Sequence, residues 1–108
     1  MLPKKHRLNL DKERFFKGDF EENSAFFKLT AKKINSNEAK IGFIVSGKVG
    51  KATVRNSVRR KLSEVVYKRL DSIPPGLAII IIAFPKSATA KESELEANLE
   101  RVLSKLNK

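Results

Sequence analysis

Residues 77–84 read LAIIIIAF, and this stretch decides the fold. It is the longest strictly apolar run in the chain, yet it is far shorter than the roughly 20 residues that a membrane-spanning helix needs. Such a short run is also untypical of a buried helix, whereas isoleucine favours strands. An apolar strand without polar alternation is typical of a position covered on both faces. We therefore predict the central strand of a sheet here, and no insertion into a membrane.

A long amphipathic helix is predicted just before this strand, over residues 52–70. Its apolar residues recur at helical spacing: Val54, Val58, Leu62, Val65, Val66 and Leu70. The Pro-Pro-Gly at residues 74–76 ends the segment, so the helix would be about 28 Å long. It would serve as a crossover between two strands.

A second amphipathic helix is predicted after the strand. Thr89 and Glu92 have the spacing of a capping box, which satisfies amide groups at a helix start. The apolar stripe that follows consists of Leu95, Leu99, Val102, Leu103 and Leu106. This helix is expected to pack over the sheet.

Two further strands are predicted upstream. Residues 25–33 alternate, with Phe27, Leu29 and Ala31 on one side, which suits a strand with one buried face. A turn at residues 35–37 (Asn-Ser-Asn) separates it from a second strand over residues 40–46, broken by Gly47 and Gly50. We expect the two strands to pair as a hairpin.

A short helix is predicted near the amino terminus. Asn9 or Asp11 would cap it, it would run to about Phe16, and Gly18 would end it. The element order then indicates an α+β two-layer sandwich with a mostly antiparallel sheet. We expect residues 1–108 to form a single domain, with a basic arm over about residues 1–8.

The composition indicates a polyanionic partner. The chain has 108 residues with 23 lysines and arginines against 12 acids, a formal charge of +11. It contains no cysteine, so it needs no oxidising compartment, and its start has no apolar stretch of signal-peptide length. A cytoplasmic location is therefore expected.

The positive charge is concentrated in the middle of the chain. Between Lys48 and Arg69 there are eight basic residues and one acid, Glu64, whereas residues 86–108 contain five basic residues and four acids. A basic run is often merely a solvated face, but one acid among eight bases favours a binding surface.

A helical wheel separates two sides of the predicted long helix. Val54, Val58, Leu62 and Val65 share one side, and the other side carries Asn56, Arg59, Arg60, Ser63 and Tyr67. Guanidinium groups donate planar, bidentate hydrogen bonds to phosphate oxygens, so arginines at helical spacing can follow a nucleic-acid backbone.

Catalytic and metal-binding patterns are absent from the sequence. His6 is the only histidine, interpreted as a free arm residue near RNA or solvent, and it has no carboxylates at metal-ligand spacing. The acids at residues 92–100 are explained by the dipole at a helix start. Gly50 and Lys51 lack the spacing of a nucleotide-binding loop. We expect no catalytic residue, metal or nucleotide cofactor on the protein.

The middle of the chain resembles the bacterial ribonuclease P protein family. The resemblance rests on Lys48-x-Gly50-x-Ala52-x-x-Arg55-Asn56-x-x-Arg59-Arg60 and on the preceding Ile41-Gly42-Phe43-Ile44-Val45-Ser46. It extends to Arg7-Leu8, to the apolar strand ending in Ala83 and to the closing helix. Gly47 and Ser63 depart from the lysine and the arginine that the family usually has there. The affinity for RNA would therefore be lower, or Lys48 and Lys61 would supply it.

The resemblance implies an αβββαβα sandwich with a left-handed β-α-β crossover, the kind also found in the second domain of a small-subunit ribosomal protein. It also implies a noncatalytic subunit, monomeric and bound one to one to a catalytic RNA that removes the 5′ leader of precursor tRNA with Mg²⁺. The implied contacts to the catalytic RNA are Lys48, Lys51, Arg55, Asn56, Arg59, Arg60 and Lys61. The implied cleft for the leader, between the sheet and the first helix, contains Arg7, Phe16, Phe20 and Lys28.

Two other classes of nucleic-acid-binding protein remain open on the residues alone. A ribosomal or other structural RNA-binding protein fits the composition equally well. A DNA-binding regulator would need a helix-turn-helix pair or a dimerisation seam, and neither pattern is present.

Overall fold

The computed structural model describes residues 2–8 and 18–107. The four strands are β1 (Phe20–Asn23), β2 (Phe27–Lys33), β3 (Lys40–Ile44) and β4 (Leu77–Ala83), and the two α-helices are α1 (Ala52–Lys68) and α2 (Glu92–Leu106). Short 3-10 helices cover Lys4–His6, Leu70–Ser72 and Pro85–Thr89. The short helix expected from Asn9 or Asp11 to Phe16 lies outside the described residues.

Strand β4 is central, as its apolar run predicted. The sheet order is β1-β2-β4-β3, so β4 has a neighbour on each side. Ile79, Ile80 and Ile81 are each at most 1% exposed, although they alternate between the two faces. Strand β1, by contrast, was not predicted from its residues, because Phe-Glu-Glu-Asn is short and carries two charges.

The expected hairpin between the two upstream strands is wrong. Strand β4 lies between them and pairs with both, antiparallel to β2 (Leu29 opposite Ile81) and parallel to β3 (Phe43 opposite Ile81). The physical reason is that β4 is apolar along its whole length, and an inner position buries it best. Because α1 crosses over between β3 and β4, these two strands run in the same direction.

The two faces of the sheet carry clusters of buried apolar residues, a large one on one face and a small one on the other. Helices α1 and α2 cover one face, where Phe27, Leu29, Ile79 and Ile81 pack against residues of both helices. On the opposite face, Leu8 packs with Ala78 and Ile80. Two of the three strand pairs are antiparallel. The predicted α+β two-layer sandwich with a mostly antiparallel sheet is confirmed.

Helix α2 starts differently from the prediction. Thr89 ends a 3-10 helix that begins at Pro85, so Thr89 does not cap α2. Lys91 is the residue before the helix, and its backbone N–H donates to Glu94 Oε1 at 2.9 Å. The predicted apolar stripe is confirmed, with Leu95, Leu99, Val102 and Leu103 buried.

Strand β1 is joined to helix α2 by ion pairs around Glu22. Lys105 Nζ lies 2.9 Å from Glu22 Oε2, and Arg101 Nη1 lies 3.5 Å from the same oxygen. The hydrogen bond from Lys105 is the main reason why the pKa of Glu22 is lowered; desolvation opposes it, and the positive charges of Lys105 and Arg101 reinforce it.

We expect Lys105→Ala to raise the pKa of Glu22 toward its usual value. Because folding lowers this pKa, the interaction stabilises the protein above the pKa that Glu22 has when unfolded, and the contribution is lost as pH falls through the folded-state pKa. An NMR titration of the Glu22 carboxyl carbon measures the shift. The matched Lys5→Ala change, beside β3 at the opposite edge of the sheet, should leave it unaltered. Identical Glu22 titrations in the native and Lys105→Ala proteins would contradict the assignment.

Candidate nucleic-acid interface

A glycine turn leads from strand β3 into helix α1. Gly50 has φ +153°, and a Cβ there would lie 3.0 Å from the side chain of Val54, so both the backbone and the space favour glycine. Val49 is buried beside this turn. Lys51 precedes the helix, and its carbonyl accepts from the N–H of Arg55 at 2.9 Å. The turn thus sets where Arg55, the basic residue of the first helical turn, lies.

Helix α1 has the two sides that its periodicity predicted. Its 17 residues, about 25 Å of helix, bury Val58, Leu62, Val65 and Val66. Asn56, Arg59 and Arg60 are exposed on the other side, and Tyr67 is 51% exposed. The apolar side holds the helix on the sheet while the polar side faces solvent.

The basic residues at the start of α1 have no acidic partner in the described part of the chain. Across residues 2–8 and 18–107, no ion pair involves Arg55, Arg59 or Arg60, or Lys48 and Lys51 before the helix. Arg59 Nη1 lies 3.5 Å from Asn56 Oδ1. The buried Nε of Arg55 has no hydrogen-bond acceptor among the residues that the structure describes. These cations therefore remain available to an anion from outside.

The far end of the basic run, by contrast, is paired with helix α2. Lys68 Nζ lies 3.5 Å from Glu92, and Arg69 bridges Glu96 and Glu100. These contacts join the two helices and neutralise the charge locally. The unpaired positive charge on α1 is therefore concentrated in its amino-terminal half.

Lys61 points toward the protein's own backbone. Its Nζ donates to the carbonyl of Ala90 at 3.1 Å, and the side chain is half-buried. The structure therefore separates Lys61 from the exposed Arg59 and Arg60, although the three residues are consecutive in the sequence and were predicted to bind RNA together.

The amino-terminal residues 2–8 are docked and do not form a free arm. Leu2 is buried, and its N–H donates to Ser63 Oγ at 3.2 Å. The N–H of Leu8 donates to the carbonyl of Ile41 at 3.0 Å, which places this segment beside β3. His6 is half-buried, with Nδ1 2.8 Å from the carbonyl oxygen of Ala39, so its interpretation as a free arm residue is wrong. Leu2 and Leu8 are apolar, and their burial outweighs the tendency of the basic residues between them to stay solvated.

Arg7 lies beside the exposed side of helix α1, whereas the resemblance grouped it with the cleft residues Phe16, Phe20 and Lys28. Its Nε donates to the carbonyl of Leu2 at 2.9 Å. Its side chain borders the same pocket as Asn56, Arg59 and Arg60. The docked amino terminus causes this arrangement, which no local sequence pattern signals.

The other cleft candidates do not lie together. Phe16 falls outside the described residues. Phe20 is opposite Ala31 in the sheet and packs half-buried against the core under the helices. Lys28 points to the other face, because successive side chains of a strand alternate, and its Nζ lies 3.1 Å from Glu21. The register of β1 on β2 thus separates Phe20 from Lys28.

Ser63 and Gly47, the two departures from the family pattern, have different surroundings. Ser63 accepts the hydrogen bond from Leu2 described above, so it holds the amino terminus against α1. A Cβ at Gly47 would have no atom of the described residues within 4 Å. A longer side chain would therefore fit at position 47 without displacing its neighbours.

We expect Ser63→Ala to lower the free energy of unfolding by about 1 kcal/mol, because the half-buried N–H of Leu2 loses its acceptor. Chemical denaturation of the two proteins measures this difference. Ser104→Ala, on the exposed side of α2, is the matched control and should leave stability equal or slightly raised. Equal effects of the two changes would contradict the role of Ser63.

Residues 2–8 and 18–107 contain neither a metal-binding cluster nor a membrane-spanning helix. No group of three or more histidine, cysteine, aspartate or glutamate side chains there is placed to hold a metal ion. None of the helices in these ranges is both long and apolar enough to cross a membrane.

The chain is similar in sequence to ribonuclease P proteins. A family model described as Ribonuclease P matches residues 2–107. A ribonuclease P protein component from Nocardioides sp. is 36% identical over 75 residues, covering 69% of this chain and 64% of the relative. One from Acidothermus cellulolyticus is 43% identical over 65 residues, covering 60% and 54%. The chain thus spans less than two thirds of these relatives.

The fold is similar to those of solved ribonuclease P proteins. The protein from Thermotoga maritima superimposes with a TM-score of 0.81 at 25% identity, covering 92% of this chain and 96% of that one. The protein from Staphylococcus aureus gives a TM-score of 0.77 at 25% identity, covering 94% of each chain.

Proposed function

Because the chain belongs to the ribonuclease P protein family, we propose that it is the protein subunit of a ribonuclease P ribonucleoprotein. In this proposal residues 1–108 act as a single RNA-binding domain, one copy of which binds one catalytic RNA in the cytoplasm. The catalytic RNA removes the 5′ leader of precursor tRNA with bound Mg²⁺. The protein carries no catalytic residue and assists the binding of substrate and metal.

One observation carries the proposal: the cations at the start of helix α1 form no ion pair with described residues, and Arg59 and Arg60 are exposed while Arg55 is half-buried. Arg55, Arg59 and Arg60 lie within two helical turns of one another and form no ion pair in the described ranges. A folded RNA presents phosphates at high density, and arginine matches their geometry. The buried side of α1 packs on the core, so the helix that carries these donors is held in place before RNA binds.

We assign the contacts within the site as follows. Arg55, Asn56, Arg59 and Arg60 bind the catalytic RNA, with Lys48 and Lys51 extending the surface along the turn before the helix, and Arg7 joins them. Lys61 contributes through its charge, since its ammonium group is already hydrogen-bonded to Ala90. Phe16, Phe20 and Lys28 remain proposed leader contacts. For Phe20, half-burial against the core favours a packing role as well.

The test is a cleavage assay with the RNA that copurifies with the chain. We expect added protein to lower the Mg²⁺ concentration needed for that RNA to remove the leader from precursor tRNA. A protein with Arg55, Arg59 and Arg60 changed to glutamine is the matched control and should act only at higher protein concentration. No change in the Mg²⁺ requirement, or copurification with ribosomal subunits instead, would overturn the proposal.

A further inference from the structure

A pocket of about 490 Å³ opens between helix α1, strand β3 and the docked amino terminus. Its apolar walls are Leu2, Leu8, Ile41 and Phe43. Its polar side consists of Arg7, Asn56, Arg59 and Arg60. The volume lies within the range of about 300 to 1,000 Å³ that is typical of binding sites for small organic groups.

The pocket is held open by contacts that do not depend on a ligand. Leu2 is anchored on one side by Ser63 and on the other by Arg7, which donates to its carbonyl. Ile41 is buried in the core, and Gly42 between Ile41 and Phe43 adds no side chain to the wall. Phe43 is half-buried, packs against the main core on one side and lines the pocket. An incoming group therefore meets a preformed apolar surface.

The pocket combines an aromatic and aliphatic wall with cations and an amide at its mouth. A nucleobase has flat apolar faces, hydrogen-bonding edges and a negatively charged phosphate on either side. Its faces could stack on Phe43 and pack on the aliphatic wall. Its edge could form hydrogen bonds with the amide of Asn56, and the adjoining phosphates could pair with Arg59 and Arg60. An apolar peptide side chain would leave these cations without anions.

We propose that this pocket holds one unstacked base of the bound RNA, with Phe43 as the stacking surface. The inference rests on the proposed function and deepens it, since it adds recognition of a single-stranded base to phosphate contacts along α1. A base in an intact duplex cannot enter this pocket. The contact therefore selects RNA that has an unpaired nucleotide beside the surface of α1.

The first test uses tryptophan fluorescence, because the chain contains no tryptophan. Phe43→Trp should give a signal that the copurifying RNA quenches, since a stacked base quenches an indole ring. Phe84→Trp is the control, because Phe84 follows β4 and does not line the pocket. Quenching confined to position 43 supports the proposal. No quenching at position 43, or equal quenching at both positions, overturns it.

The second test measures affinity with Phe43→Leu, which keeps an apolar side chain but loses the ring. We expect about a tenfold weaker Kd, equivalent to about 1.4 kcal/mol, with an unchanged salt dependence because no phosphate contact is lost. Unchanged affinity of a folded Phe43→Leu protein overturns the base pocket, provided that the arginine changes still weaken binding. If neither Phe43→Leu nor the arginine changes weakened RNA binding, the proposed function itself would be contradicted.

Discussion

Changing Arg55, Arg59 and Arg60 together to glutamine is expected to flatten the salt dependence of RNA binding by about 2 to 3 units in the slope of log K against log salt. Each phosphate contact contributes roughly 0.7 to 0.9 to this slope through the release of counterions. Glutamine keeps the polar character and the helix propensity, so the helix itself should persist. Binding titrations at several salt concentrations measure the slope.

The matched control neutralises three exposed lysines outside α1. Lys33, Lys86 and Lys91 are exposed, and replacing them with glutamine changes the net charge by the same amount. We expect this variant to retain most of the slope, because these three lysines lie outside the proposed RNA-binding surface. Equal slopes for the two triple variants would mean that total charge, and not the surface of α1, determines binding.

Leu62→Ala is expected to lower the free energy of unfolding by about 2 to 5 kcal/mol. Leu62 is 1% exposed and lies on the side of α1 that packs into the main core. Truncation removes buried apolar area and leaves a cavity under the middle of the helix. Urea denaturation monitored by circular dichroism measures the loss.

Tyr67→Ala, on the exposed side of α1, is the control for Leu62→Ala. Tyr67 lies on the same helix but is 51% exposed, and exposed substitutions usually change stability by about 0.5 kcal/mol or less. Similar losses for the two variants would show that α1 is not held by one apolar side. The orientation of its arginines would then lose its physical basis.

Local sequence patterns predicted helix α1 and the central strand β4, which pack in the same core between the helix layer and the sheet. The spacing of Val58, Leu62 and Val65 identified the buried side of α1, and the isoleucine run identified the central strand. Both signals are local, because helical periodicity and the length of an apolar run depend only on neighbouring residues. The outward direction of Arg59 and Arg60 follows from the same helical geometry.

Contacts between residues far apart in the chain could not be predicted from local sequence patterns. The hairpin prediction failed because the turn at residues 35–37 suggested pairing, whereas burial favoured β4 between the two strands. The docking of Leu2 on Ser63 joins residues 61 positions apart, and no periodicity records it. The position of Arg7 follows from that docking, and the opposite facing of Phe20 and Lys28 follows from a register that only pairing with β2 defines.

Protein–RNA crosslinking with the copurifying RNA tests the orientation of α1 most directly. Irradiation of the complex, followed by mass spectrometry of the crosslinked peptides, locates the contacts residue by residue. We predict crosslinks within residues 48–60 and at Phe43, with none on the exposed side of α2 around Ser93 and Ser104. Crosslinks confined to α2, with residues 48–60 unmodified, would contradict the assignment of RNA binding to α1.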